Sequence, residues 1–544
     1  MKRVILFCFL LSSMLSFSQN DTLRFATTKT GQTLALINYF YVDTTNLERI
    51  SEKGIEAMLK ELDPHSVFIN KDEVKKMNEP LEGNFDGIGV SFQLLNDSIH
   101  VVEVISGGPA EKVGMFAGDI IIKVDDKPAT GDSIKNDWVF KNLRGDKGSK
   151  VKVSVKRANR KEPITFNITR DKIPIHSIDT WFMLDDSIGY IRLNRFAQTS
   201  TDEFSQAIKE LKEQGMKDLI FDLRSNGGGY LNIAFEIGDH FLSGNKTIVY
   251  TQGIHSPKQT YDATRKGLWE EGGLVILVDE YTASASEIVS GAVQDWKRGK
   301  IVGQRTFGKG LVQRPFTLED KSQIRLTTSR YYTPSGRCIQ KPYTAEQDSA
   351  NAADSIAWGI MPDVVIPQDT SRASDYLINL RSKGLFNSFA LSWVEENRED
   401  FLKKAPDFTT FEKEYEKLGL LKEFENYAKQ EGVEKIQIKK EWVNQIVINY
   451  LKKEIEDSTS CYRSYEDYAK ALTEKDKLVK EIIENATKED EKMKEMNKES
   501  DIYIASTLKA LIARNLYGVK YYYMVVKEND KELQKAIEII KQDK

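Results

Sequence analysis

The chain has 544 residues, 40% of them hydrophobic and 29% charged, with a formal net charge of −4. That length exceeds what one hydrophobic core organises, so about two to four domains are expected. The near-balanced charge leaves no electrostatic footprint for a nucleic-acid partner.

The first residues read as an address. Lys2 and Arg3 make a basic start, Val4 to Phe17 is an apolar run, and Ser16-Phe17-Ser18 puts small residues at −3 and −1 of a cleavage site. About 14 apolar residues fall short of a bilayer, and no later run is long and apolar enough, so no stable membrane span is expected. Residues 1–18 are therefore read as a secretory signal peptide. The mature chain is expected to be exported, to the periplasm or cell envelope, with secretion as the alternative. Only Cys338 and Cys461 remain after such a cleavage, and two distant cysteines make no disulfide framework. Whether they pair is left open.

Residues 19–82 are expected to form an N-terminal helical domain. Ile37, Phe40 and Tyr41 begin an apolar stripe that Ile50, Ile55, Met58, Leu59 and Leu62 continue at helix spacing. Asp63-Pro64-His65 ends it, because proline disfavours helix in the residue before it. From residue 83 to 172 short strands and turns take over: Gly87 to Phe92, Ile99 to Ile105, Ile120 to Val124 and Lys150 to Val155, with helices at Ala110 to Val113 and Ser133 to Leu143. Residues 173–367 alternate strand and helix, as in a parallel or mixed sheet covered by helices. Its strands are Ile188 to Leu193, Leu219 to Leu223 and Leu274 to Val278; its helices are Thr201 to Gln214 and Ser286 to Trp296. Residues 368–544 are rich in Lys and Glu and helical in pattern. One apolar face there is Val443, Ile446, Val447, Tyr450 and Leu451; another is Leu508, Leu511, Ile512 and Leu516. Lys488 to Ser500 is nearly all polar, an exposed helix or linker.

The chemistry concentrates at two places. Ser284 sits between the strand ending at Val278 and the following helix, and Lys309 follows in the glycine-flanked loop Thr306-Phe-Gly-Lys-Gly310. A serine hydroxyl projecting from such a turn, with a lysine to take its proton, suits amide hydrolysis without histidine. Ser284-Ala-Ser-Glu287 is also a capping box. The two roles are compatible, because a helix N-terminus favours a developing alkoxide. A lysine base must be neutral, so its ordinary pKa of about 10.4 has to fall through burial or a nearby positive charge. Phe307 and Leu311 are the candidates for that burial, and Gly308 and Gly310 permit close backbone packing. The Ala285 N–H is the natural first oxyanion donor. A second is expected from Gly227 to Gly229 in the loop Arg224-Ser-Asn-Gly-Gly-Gly229, with Gly228 chosen. Neither a Walker lysine nor GxGxxG accompanies that loop. The five histidines lie in no triad or HExxH motif and there is no CxxC pair, so neither a metal nor a cofactor is expected.

Several motifs in order resemble the carboxy-terminal processing (tail-specific) protease family, over about residues 35–367. They are Leu62-Asp-Pro-His-Ser66; Ser106-Gly-Gly-Pro-Ala110 with Gly114 and Ala117-Gly-Asp119; Asp222 to Gly229; Ser284-Ala-Ser-Glu-Ile288; Thr306 to Gly310; Gln313; and Tyr331-Tyr-Thr-Pro-Ser-Gly336. Two departures, Thr282 for a common serine and Asn226-Gly227 for a common Asn-Pro, leave the proposed chemistry untouched. The resemblance implies a multidomain α+β protein: a PDZ domain (83–172) inserted before an α/β crotonase/ClpP-like protease core (173–367), with N-terminal helices and a helical C-terminal extension. It implies Ser284 as nucleophile, Lys309 as general base and Gln313 as the residue that orients the lysine. Gly87-Ile88-Gly89-Val90 resembles the PDZ loop that captures a C-terminal carboxylate, beside which a peptide adds as a strand.

The implied function is a serine endopeptidase that recognises the accessible C-termini of protein or peptide substrates. Segment 368–544 is a candidate for shaping a substrate vault, docking an adaptor or self-associating. The alternative is a catalytically silent PDZ scaffold in the cell envelope, which predicts loss of the serine, lysine or glutamine; all three stand. A third reading, an acyl-thioester enzyme on a crotonase-like core, fits poorly with a PDZ domain and a signal peptide.

Overall fold

The computed structural model describes residues 2–95, 97–105, 107–157, 160–264, 266–343, 358–367, 374–435 and 465–542. The chain gathers into two compact units. One comprises Met1–Asn78, Thr251–Gln259 and Leu311–Tyr331, and the other comprises Glu79–Tyr250, Thr260–Gly310 and Tyr332–Lys544.

In the first unit, helices Lys2–Phe40 and Leu47–Lys60 come first. Asn46 caps the second, its Oδ1 accepting from the Arg49 N–H at 3.0 Å. The helix stops just ahead of Asp63-Pro64, as proline requires. Asp63 then ties the turn, accepting from the N–H groups of His65 and Ser66 and from the Ser66 hydroxyl. Ser66 Oγ in turn accepts from the Thr327 N–H at 3.1 Å, which seats strand Val67–Ile69 antiparallel to Gln323–Tyr332, Val67 opposite Arg325. Leu311–Thr317 also runs antiparallel to that long strand. The apolar helical stripe differs from expectation. Leu59 is buried, but Phe40, Tyr41, Met58 and Leu62 are more than half exposed within this unit.

Described residues of the second unit form three hydrophobic cores. A two-stranded ribbon, Asn84–Gly87 against Asp171–Pro174, brackets the first as entry and exit. Between them strands Val90–Leu95, Ser98–Val104, Ile120–Val124, Lys150–Lys156 and Ile164–Thr169 form a sheet in that spatial order. Its apolar face meets helix Asn136–Leu143 through Ile99, Val101, Ile121, Val139, Val153 and Ile168.

The second core is a six-stranded sheet. Ile178–Met183 pairs antiparallel with Ile188–Leu193; then Asp218–Asp222, Gly273–Val278, Lys300–Gly303 and Val364–Val365 add in parallel, one after another. The parallel strands are joined by helices Ser200–Glu213, Leu231–Gly238 and Ala285–Asp295. Right-handed crossovers that always step in one direction place such helices on a single face. The other face is covered from the far end of the chain: Leu533, Ala536 and Ile540 of helix Lys531–Gln542 pack on Tyr190, Ile220, Val275, Leu277 and Val302.

The third core is helical. Asp375–Ser382, Leu385–Lys404, Phe408–Tyr415, Leu420–Gln430 and Tyr465–Tyr517 close around Phe389, Trp393, Phe411 and Phe424. Leu508, Leu511 and Ile512 are buried there as their spacing predicts. The Val443–Leu451 stripe and Cys461 lie outside the described residues, and Cys338 is exposed.

Candidate active site

Parallel sheets present ligands at the carboxyl ends of their strands, and two adjacent strands end at the candidate residues. Asp218–Asp222 runs into the glycine loop, and Gly273–Val278 into the turn that bears Ser284. Ser284 has φ 57° and ψ −114°, a backbone state that few residues with a Cβ adopt. A strained strand-to-helix turn of this kind exposes a nucleophile's Oγ, and Ser284 is partly exposed while both neighbours are buried.

The turn is locked to the glycine loop by Asn226, Thr282 and Ser286, whose bonds the sequence does not show. Asn226 is fully buried. Its carbonyl accepts from the Ala283 N–H and from Ser286 Oγ, both at 3.0 Å. Its Nδ2 donates to the Leu193 carbonyl, and its Oδ1 accepts from the Gly228 N–H, both at 2.9 Å. Thr282, one of the departures noted from sequence, keeps the hydroxyl's work: Oγ1 donates to the Leu223 carbonyl at 2.9 Å.

Gly228 lies against the Ser284 turn. Its N–H donates to Asn226 Oδ1 at 2.9 Å. What the position needs is the absence of a side chain. At φ +99° a Cβ there would stand 2.8 Å from Ser284 Cβ and 2.9 Å from the Ala285 nitrogen. Gly227 and Gly229, on either side, are exposed. Ala285 opens helix Ala285–Asp295, so its N–H has no carbonyl to bond within the helix.

Glu287 joins serine and lysine. Fully buried, it reaches back as a capping-box glutamate to the Ser284 N–H, with Oε2 accepting at 2.8 Å. The same Oε2 accepts from the Lys309 N–H at 2.9 Å. Oε1 accepts from the Gly308 N–H at 2.7 Å and from Thr306 Oγ1 at 2.5 Å. Burial pushes the Glu287 carboxyl above its ordinary value, and these four donors pull against that rise. Lys309 itself is half-buried. Gly308 and Gly310 do allow close packing, since a Cβ on either would meet residues 339–341 at 3.2 Å or less. Phe307 is 46% exposed and supplies little burial. Gln313 belongs to the other unit, on strand Leu311–Thr317, and its Nε2 donates to Thr327 Oγ1 at 3.3 Å.

The loop Gly87 to Val90 leads from the ribbon into the sheet. Gly89 has φ +81°, the Ile88 carbonyl accepts from the Ala110 N–H at 2.8 Å, and the Gly89 carbonyl accepts from Ile105 at 2.9 Å. Gly87 pairs with Asp171 in the ribbon, and Val90 begins the next strand. Beside the loop lies an apolar slot of about 40 Å³, lined by Phe85, Ile88, Val90, Phe92, Val139 and Phe140 among others. Among the described residues, no group of His, Cys, Asp and Glu is arranged to hold a metal ion, and no helix is long and apolar enough to cross a membrane.

Fold and site together define a serine-type peptidase core preceded by a PDZ domain. Residues 187–366 match peptidase family S41, 87–168 match the PDZ domain, and 376–442 and 437–518 match a family of unknown function. The chain is 34% identical over 333 residues to the carboxy-terminal-processing protease of Bartonella bacilliformis, covering 60% of this chain and 72% of that one. It is 34% identical over 307 residues to a probable CtpA-like serine protease of Staphylococcus haemolyticus, covering 56% and 60%. The solved photosystem II D1 C-terminal processing protease aligns over 61% of this chain and 87% of its own, at 29% identity and a TM-score of 0.36. The chain belongs to the carboxy-terminal-processing proteases of peptidase family S41.

Proposed function

We propose that the protein is an endopeptidase working through a Ser284–Lys309 dyad on substrates selected by their C-terminal tails. Ser284 Oγ attacks the scissile carbonyl carbon while the neutral Lys309 amine takes its proton. The tetrahedral oxyanion is met by the Ala285 N–H and by an N–H from Gly227 to Gly229, with Gly228 assigned. Collapse expels the amine, which takes the proton back from Lys309. A water activated by the same lysine then hydrolyses the acyl-enzyme. Gln313, four residues beyond the lysine, is assigned the orienting role on the family pattern. The observation that carries this reading is the shared Glu287 oxygen, which bonds the backbones of both dyad members.

The PDZ loop Gly87–Val90 receives the substrate's terminal carboxylate and its slot the last apolar side chain, with the tail added beside strand Val90–Leu95. Protein or peptide substrates with free C-termini are therefore the partners, in the periplasm or cell envelope to which the basic and apolar start of the chain directs it. The test is one reporter protein, with and without an apolar C-terminal tag, incubated with wild type and Ser284→Ala. Cleavage by wild type alone, faster on the tagged form, is expected. Tag binding without cleavage by wild type assigns the chain instead to the silent scaffolds.

A further inference from the structure

The match to the peptidase family ends at residue 366, yet the far end of the chain reaches the glycine loop. Arg224 opens that loop. Its Nη1 donates to Asp530 Oδ1 at 2.8 Å and its Nη2 to Asp530 Oδ2 at 2.7 Å, a two-toothed pairing across 306 residues of chain. The same guanidinium grips Asp222, Nε to Oδ1 at 3.0 Å and Nη2 to Oδ2 at 2.7 Å. Asp222 is fully buried at the end of its strand and also accepts from Tyr190 Oη at 2.6 Å and Arg192 Nη1 at 2.9 Å.

The charges dictate what Asp530 does. Two guanidinium groups share the buried Asp222: Arg192 has a carboxylate of its own in Asp179, Nε to Oδ2 at 3.3 Å, and Arg224 needs one as well. Asp530 supplies it, with Glu532 at 3.4 Å from Nη1 as a weaker neighbour. The position of Asp530 is fixed in turn: its Oδ1 caps the last helix by accepting from the Leu533 N–H at 3.0 Å, and that helix lies on the core sheet. Downstream, the loop has little slack. Ser225 is held at φ 60° with its N–H on Asp279 at 2.9 Å, and Gly228 lies against Ser284 with no room for a methyl group.

We propose that Asp530 is a positioning residue for the hydrolytic site, acting through Arg224 to hold the glycine loop against Ser284. The last helix is then part of the peptidase rather than an appendage to it. The inference rests on Ser284 being the nucleophile. It concerns transition-state alignment, because oxyanion donors lose their effect when displaced by a fraction of an ångström.

The experiment uses the full chain and compares wild type, Asp530→Asn, Asp530→Glu and Lys535→Ala, the last on an outward-facing ion pair of the same helix. Two rates are read per folded molecule after gel filtration: turnover of the tagged reporter, and labelling of Ser284 by a fluorophosphonate, whose phosphonyl oxygen occupies the same oxyanion position. Asp530→Asn is expected to lower kcat roughly 10- to 100-fold and slow labelling in parallel, with KM little changed, a loss below that for deleting a donor outright. Asp530→Glu is expected to recover most of kcat, and Lys535→Ala to match wild type. Wild-type kcat in folded Asp530→Asn would overturn the inference. So would Asp530→Asn recovered only unfolded while Asp530→Glu equals wild type, since Asp530 would then merely hold the helix. A wild type that never cleaves or labels at Ser284 would overturn the dyad reading and this inference with it.

Discussion

The backbone N–H of Lys309 donates to Glu287 Oε2 at 2.9 Å, across 22 residues of chain. That oxygen already accepts from Ser284, so one buried carboxylate fixes nucleophile turn and lysine loop to each other. An Oε atom of glutamine in its place would still accept, but the amide NH₂ would face other donors.

Glu287→Gln is therefore expected to cost about 1–3 kcal/mol of stability, the penalty for buried donors left unmade, and to lower kcat far more than an outward-facing substitution does. Urea unfolding and reporter turnover on the same preparations check both.

The pH dependence carries a sign. Burial raises the native Glu287 carboxyl above its ordinary value, so between about 4.3 and that higher value the native state binds more protons than the unfolded one. Its contribution to stability is fully present below the unfolded value and is lost as pH rises through the native one. The wild-type urea midpoint relative to Glu287→Gln should accordingly fall as pH rises from about 4.3. A relative midpoint that climbs over the same range contradicts the assignment.

Gly228→Ala tests the packing of loop against turn. The added methyl would press on Ser284 Cβ and the Ala285 nitrogen from a residue held at φ +99°, so kcat is expected to fall by about 10² or more. Gly227→Ala, where a Cβ meets nothing within 4 Å, should cost much less. Steady-state kinetics on the two variants separate them.

Gly89→Val tests tail reading apart from chemistry. Gly89 sits at φ +81° with Ile173 Cδ1 only 3.1 Å from where a Cβ would stand. The variant should raise KM for the tagged reporter and leave turnover of the untagged one at the wild-type level. Equal losses on both substrates would place the defect in the core.

Much of the fold around Ser284 is legible in the sequence because its local signals are strong. Strand Ile188–Leu193 and the helix opening at Ala285 fall where apolar runs and the Ser-x-x-Glu box place them. The same box concealed half of the role of Glu287: its other donors, from Thr306, Gly308 and Lys309, arrive 19 to 22 residues later and leave no periodic trace. Glycine content marks the close approach at Gly228 without saying that its N–H bonds the Asn226 side chain. The long strands Leu311–Thr317 and Gln323–Tyr332 escaped notice since their residues are mostly half-buried or exposed and mix polar with apolar types. Leu533, Ala536 and Ile540 do repeat at helical spacing, but no sequence pattern says that this face covers the core sheet.

The most direct measurement of the central claim is turnover of the tagged reporter by purified, folded Lys309→Ala. The dyad predicts a rate no higher than that of Ser284→Ala, with Ser284 still present but without a base. Substantial cleavage by Lys309→Ala would contradict it and require another group to take the serine's proton.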